Sequence, residues 1–169
     1  KGLMDEVSSG EGKGESAVLA GQAPILEIDP AKYPENVKNS ISEYGDAVII
    51  TFSRVGGEGY DCAFPGYIDN NGVESKDNYL ALNDNERKLL EYAETVKATT
   101  GAKIIVLINT SNALQVDFLK NNEYGVDATL WIGGVGQTGL NAVAEILSGK
   151  VNPSGSLPDT YCYDNYSSP

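Results

Sequence analysis

The 169-residue sequence contains no histidine. That absence excludes a Ser-His-Asp triad, a Cys-His pair and any His-ligated metal from this chain's own residues. Cysteine is scarce as well. Two thiols, Cys62 and Cys162, cannot build a four-thiolate site, and the sequence leaves open whether they pair. Basic charge is in short supply, with 12 Lys and Arg against 24 Asp and Glu and a formal net charge of −12. Neutralising phosphates requires the opposite balance, so no nucleic-acid partner is expected. Contact with an anionic membrane surface is disfavoured for the same reason. No apolar run approaches the roughly 18 residues of a membrane span. The N-terminus shows no basic-then-apolar signal pattern. Carboxylate, hydroxyl and lysine chemistry remain available.

What is present suits one compact domain. The chain is 41% hydrophobic and 21% charged, ordinary globular composition with enough length for a core. It begins with Lys1 rather than Met, and we read it as a piece of a longer protein. Residues 1–24 are small, polar and aperiodic around Ser8 to Glu15, and read as a linker or irregular segment. Ile25 to Ile28 is compatible with a short edge strand. Val37, Ile41 and Tyr44 predict a helix over about 35–44, ended by Gly45.

Three apolar, β-branched runs follow: DAVIITFS (46–53), KIIVLIN (103–109) and DATLWIG (127–133). Their unbroken apolar character predicts strands covered on both faces. Between the first two, Leu89, Leu90, Ala93 and Val96 form the stripe of a helix over about 84–99, capped by Asn83 or Asp84 and stopped by Gly101. Shorter helices are expected over 113–122 and 137–148, the latter with Leu140, Val143, Ala144 and Leu147 on one face. Alternating strands and helices predict an α/β fold, a three-layer α/β/α sandwich with a mostly parallel sheet and helices on both faces. In such sheets ligands sit beyond the carboxyl ends of the strands. The segments to search are therefore 53–66, 109–113 and 133–139.

The run GVGQTG (134–139) fits G-x-G-x-x-G after a strand, the pattern of a dinucleotide-binding turn. Its position on the third strand, and an acidic residue (Asp159) lying in a Pro/Gly/Ser stretch rather than at a strand end, fit that reading poorly. The bland alternative is a tight turn with close helix packing. Asp69-Asn70-Asn71-Gly72 fails as a calcium loop, because position 1 would be Tyr67. The run RVGGEGYD (54–61) leaves the end of the first strand. Its glycines permit close approach to a ligand, and Glu58 beside Arg54 and Asp61 suits a general acid or a polar-ligand site. A plain surface turn is the alternative. Ser9-Gly10-Glu11-Gly12 repeats the local pattern but follows no strand, so Glu11 is read as linker.

In order along the chain, DAVIITFSRVGGEGYD (46–61), TTGAKIIVLINTSNAL (99–114) and the close GVDATLWIGGVGQTGLNAVAEILSGKVNPSGSLPDTY (125–161) resemble blocks of the C-terminal α/β domain of glycoside hydrolase family 3. The resemblance implies a domain over 25–161, with 162–169 as a tail leading to the rest of the parent protein. It implies a fragment of a retaining β-glycosidase, β-glucosidase-like, whose active site is shared with a (β/α)8 barrel domain of the same parent chain. The barrel supplies the nucleophilic Asp, which lies outside these residues. By motif match Glu58 is the catalytic acid/base, and Arg54 and Asp61 are substrate-binding candidates. Cys62 stands where the family often has Arg. The implied partner is a β-glycoside or oligosaccharide substrate, with no cofactor and no metal. A non-catalytic carbohydrate-binding or interaction module, and a nucleotide-binding α/β domain, are the other classes compatible with the residues.

Overall fold

The three apolar runs form three strands: β1 (Ala47–Ser53), β2 (Lys103–Asn109) and β3 (Ala128–Trp131). They pair in parallel in the order β1-β2-β3. Ala47 lies opposite Lys103 and Ser53 opposite Asn109, while Ile105 lies opposite Ala128 and Ile108 opposite Trp131. The three carboxyl ends therefore finish side by side. Helices α1 (Glu35–Asn39), α2 (Asp84–Thr100) and α3 (Leu140–Leu147) complete a three-layer α/β/α arrangement. The computed structural model describes residues 27–54, Gly56, Cys62 and 78–167.

Helix α2 runs as its sequence directs. Asn83 caps it, with its side chain accepting from the Glu86 N–H at 2.9 Å. Glu86 Oε2 accepts from the Asn83 N–H at 2.8 Å, closing a reciprocal capping box that satisfies two otherwise orphaned donors. Gly101 ends the helix in the left-handed region at φ +79°.

Leu90 and Ala93 of α2 bury against Ile50 and Phe52 of β1 and Ile104, Val106 and Ile108 of β2, and Val96 is buried one turn further on. Leu82, Leu114, Val116 and Phe118 close this core, and the Phe52 and Phe118 rings meet edge to face. Each fully buried side chain of this size contributes about 1.5–3 kcal/mol relative to exposure.

Several local expectations change. Strand β1 is not covered on both faces: Ile50 and Phe52 are buried, but Ile49 is 50% exposed. Among the described residues β1 and β3 are edge strands, and only β2 has a neighbour on each side. Residues 113–122 hold a kinked 3-10 segment, Asp117–Asn122, rather than an α-helix, with the kink at Lys120, whose ψ is 127°, and Asn121, whose φ is positive. The expected helix over 35–44 is α1 followed by a 3-10 turn, Ser40–Ser42. On α3 only Val143 is buried, and Leu140 is 57% exposed. Glu27 and Ile28 are not in a strand, and Ile25 and Leu26 lie outside the described residues. Cys62 and Cys162 form no disulfide with each other.

Candidate functional site

At the carboxyl ends of the three strands lies a cavity of about 250 Å³, lined by Arg54 and Gly56 after β1, Asn109, Thr110 and Ser111 after β2, and Gly133 and Gly134 after β3. All three segments singled out from the sequence contribute to it. A polar chain ties its rim together across the sheet. Ser53 Oγ donates to Asn109 Oδ1 at 3.1 Å, and Asn109 Nδ2 donates to the Gly133 carbonyl. The Arg54 N–H donates to the Asn109 carbonyl at 3.3 Å, extending the β1–β2 ladder by one step.

Thr110 forms the floor. It is buried, its hydroxyl donates to the Asn112 carbonyl, and its own carbonyl accepts from Trp131 Nε1 at 2.8 Å. Tyr161 packs on the adjoining core. Burial and, second, the nearby Asp159 raise its hydroxyl above the ordinary tyrosine value, opposed by a hydrogen bond with Thr110.

Arg54 occupies a place that its sequence context did not reveal. Its side chain is 1% exposed, and every N–H of the guanidinium has a protein acceptor. Nε donates to the Tyr79 carbonyl at 2.5 Å. Nη1 donates to the Ser53 carbonyl and Glu86 Oε1, both at 2.8 Å. Nη2 donates to the Ala81 carbonyl at 2.6 Å and Glu86 Oε2 at 2.9 Å. The pair with Glu86 is a bidentate fork, the strongest arrangement open to Arg and a carboxylate. Glu86 was missed at the sequence level. The signal was present in part, since Asn83-x-x-Glu86 is a capping-box pattern. Its second partner is distant in sequence.

Gly56 makes a close approach on the same rim. A Cβ at this position would overlap Asn112 Oδ1, a buried acceptor with no hydrogen-bond partner among the described residues. Only glycine fits there without displacing Asn112.

Glu58 and Asp61 lie outside the described residues. Among the described residues the cavity lining offers amide, hydroxyl and backbone groups. Among the described residues no group of three or more Cys, Asp or Glu is placed to hold a metal, and no helix is long and apolar enough to cross a membrane. GVGQTG forms a turn over 136–139 that leads into α3, with the Gly139 N–H donating to the Val135 carbonyl at 3.1 Å.

Residues 4–168 match the family described as the glycosyl hydrolase family 3 C-terminal domain. Beta-glucosidase A of Butyrivibrio fibrisolvens is 31% identical over 153 residues, covering 83% of this chain and 18% of that protein. A beta-glucosidase of Ruminococcus albus is 29% identical over 125 residues, covering 73% of this chain and 11% of that protein. The solved structure of beta-glucosidase 3B from Thermotoga neapolitana in complex with glycerol superposes with a TM-score of 0.71 at 26% identity, over 98% of this chain and 20% of that one. The chain thus spans about a fifth or less of the length of these proteins.

Proposed function

We propose that this chain, which belongs to the glycosyl hydrolase family 3 C-terminal domain family, supplies the acid/base side of a retaining β-glycosidase active site. Glu58 is the acid/base, and the nucleophile comes from a (β/α)8 barrel domain of the parent protein. The supporting observation is the strand-end cavity. Arg54 and Gly56, which stand just before the GEG run in sequence, line that cavity after β1, beside hydroxyl and amide groups from the β2 exit.

In the first half-reaction the protonated Glu58 donates its proton to the glycosidic oxygen while the barrel carboxylate attacks the anomeric carbon and the leaving group departs. In the second half-reaction the Glu58 carboxylate removes a proton from water, which attacks the anomeric carbon and releases the barrel carboxylate. Of the β2-exit residues, exposed Ser111 is the one to meet the sugar hydroxyls, with Asn109 and Thr110 forming the wall and floor behind it. Arg54 has no donor to spare for a sugar without surrendering one of its protein acceptors, so its part is to shape the wall. Asp61 is the loop's second polar candidate for substrate.

The test is Glu58→Ala in the intact parent enzyme. General acid/base assistance is worth roughly 10²–10⁴-fold. The loss should be largest for poor leaving groups and small for the first step with an activated aryl glycoside. Azide, which needs no base, should then restore turnover and form a glycosyl azide. Equal slowing of good and poor leaving groups, with no azide product, would overturn the assignment.

A further inference from the structure

We infer that the buried Arg54–Glu86 pair is the positioning device for the catalytic loop: it clasps both ends of the segment carrying Glu58 to the capped end of α2. The inference rests on the acid/base reading above. The chain leaves β1 at Ser53 and returns at Asn78 to Asn83, where α2 begins. Arg54 stands at the outgoing end and donates to carbonyls at the returning end, Tyr79 at 2.5 Å and Ala81 at 2.6 Å. A single guanidinium therefore closes the base of the excursion.

That guanidinium is itself fixed. Glu86 grips it with both oxygens at 2.8 and 2.9 Å, while Glu86 Oε2 also accepts from the Asn83 N–H. The carboxylate is anchored in the first turn of a 17-residue helix, and both side chains are 1% exposed. The Tyr79 ring lies 5.8 Å from the guanidinium carbon. Just beyond Arg54, at Gly56, the outgoing chain is pressed against Asn112 of the β2 exit. Closing a long loop costs entropy that grows with its length, and catalytic groups must be held to within about 0.5 Å of productive geometry. Replacing a buried ion pair by apolar residues is often neutral for stability. A loop that presents one carboxyl to a glycosidic oxygen requires a fixed stem, and this pair is the fixed point at its base.

The experiment compares Glu86→Gln with Asn83→Ala in the intact parent enzyme, rates being normalised to the folded fraction from a thermal melt. Asn83→Ala weakens the helix cap and leaves the Arg54–Glu86 fork in place. Glu86→Gln should lower kcat about 10- to 100-fold on glycosides with poor leaving groups and several-fold at most on activated aryl glycosides. Inhibition by the free sugar should hardly change, and azide should restore part of the lost deglycosylation. Asn83→Ala should leave the dependence on leaving group as it was. If Glu86→Gln does not fold, Arg54→Lys, which keeps the charge and loses the fork, should show the same leaving-group pattern. A folded variant whose rates fall equally on all substrates, or not at all, would overturn the inference while Glu58→Ala behaves as an acid/base variant. If Glu58→Ala itself shows no leaving-group dependence, the reading beneath the inference fails first, and the two failures are told apart.

Discussion

Asp127 accepts from Lys97 Nζ at 2.7 Å, from the Ile104 N–H at 2.9 Å and from Lys103 Nζ at 3.2 Å. These bonds, the Lys97 contact first, hold its carboxyl far below the usual carboxylate range. A folded value below the unfolded one means that the stabilisation is complete above the unfolded value of about 3.9 and is lost as pH falls toward the folded value. Asp127→Asn in the intact protein should therefore lower the melting temperature at pH 7, and the gap to the wild type should begin to narrow below about pH 4 and go on narrowing as pH falls further. A gap of the same size at pH 7 and pH 3 would show that the charge is not what matters. At this scale the sequence was uneven. Asp127 stood at the start of an apolar run and carried no visible role, because Lys97 is on another element. Arg54 was picked out for its place beside the GEG run, but its partner Glu86 was not.

Helix α2 is the element on which sequence and structure agree best. Its cap, stripe and stop are local features, and each occurs where the spacing put it. Gly101 shows why the end is sharp: φ is +79° and no heavy atom lies within 4 Å of where a Cβ would stand. Substitution there carries a backbone cost without a steric clash. Gly101→Ala should destabilise the protein by about 1–2 kcal/mol, and Gly101→Asn by less, since Asn tolerates the left-handed region. Urea unfolding midpoints check this, and equal midpoints for the Ala and Asn variants would count against a purely conformational cost. Helix α3 and the 117–122 segment were less legible. The 117–122 segment is 3-10 and kinked rather than α-helical, and on α3 the helical period of Leu140, Val143, Ala144 and Leu147 does not say whether a partner surface covers them. Leu140 shows the outcome, at 57% exposed.

As a whole, the described sheet presents a half-open pocket at one end. It has a floor at Thr110 and a rim tied from Ser53 through Asn109 to Gly133. On the proposed function the second carboxylate comes from elsewhere in the parent. The isolated chain should then give no measurable turnover of an aryl β-glycoside. Turnover by the pure chain that disappears in Glu58→Gln would refute the need for a second domain.

The sequence by itself determined the parallel α/β/α class, because unbroken apolar runs of strand length separated by capped helical stripes admit few other folds. It also determined which three segments meet at the site, because parallel strands must bring their carboxyl ends to one edge. Only the tertiary structure decided that β1 leaves Ile49 half open, that Gly56 must yield space to Asn112, and that Arg54 is spent on Glu86, Tyr79 and Ala81. Those outcomes depend on contacts between residues distant in the chain. Hydrophobic period and turn chemistry are local, whereas a buried guanidinium takes whichever acceptors the fold brings within about 3 Å.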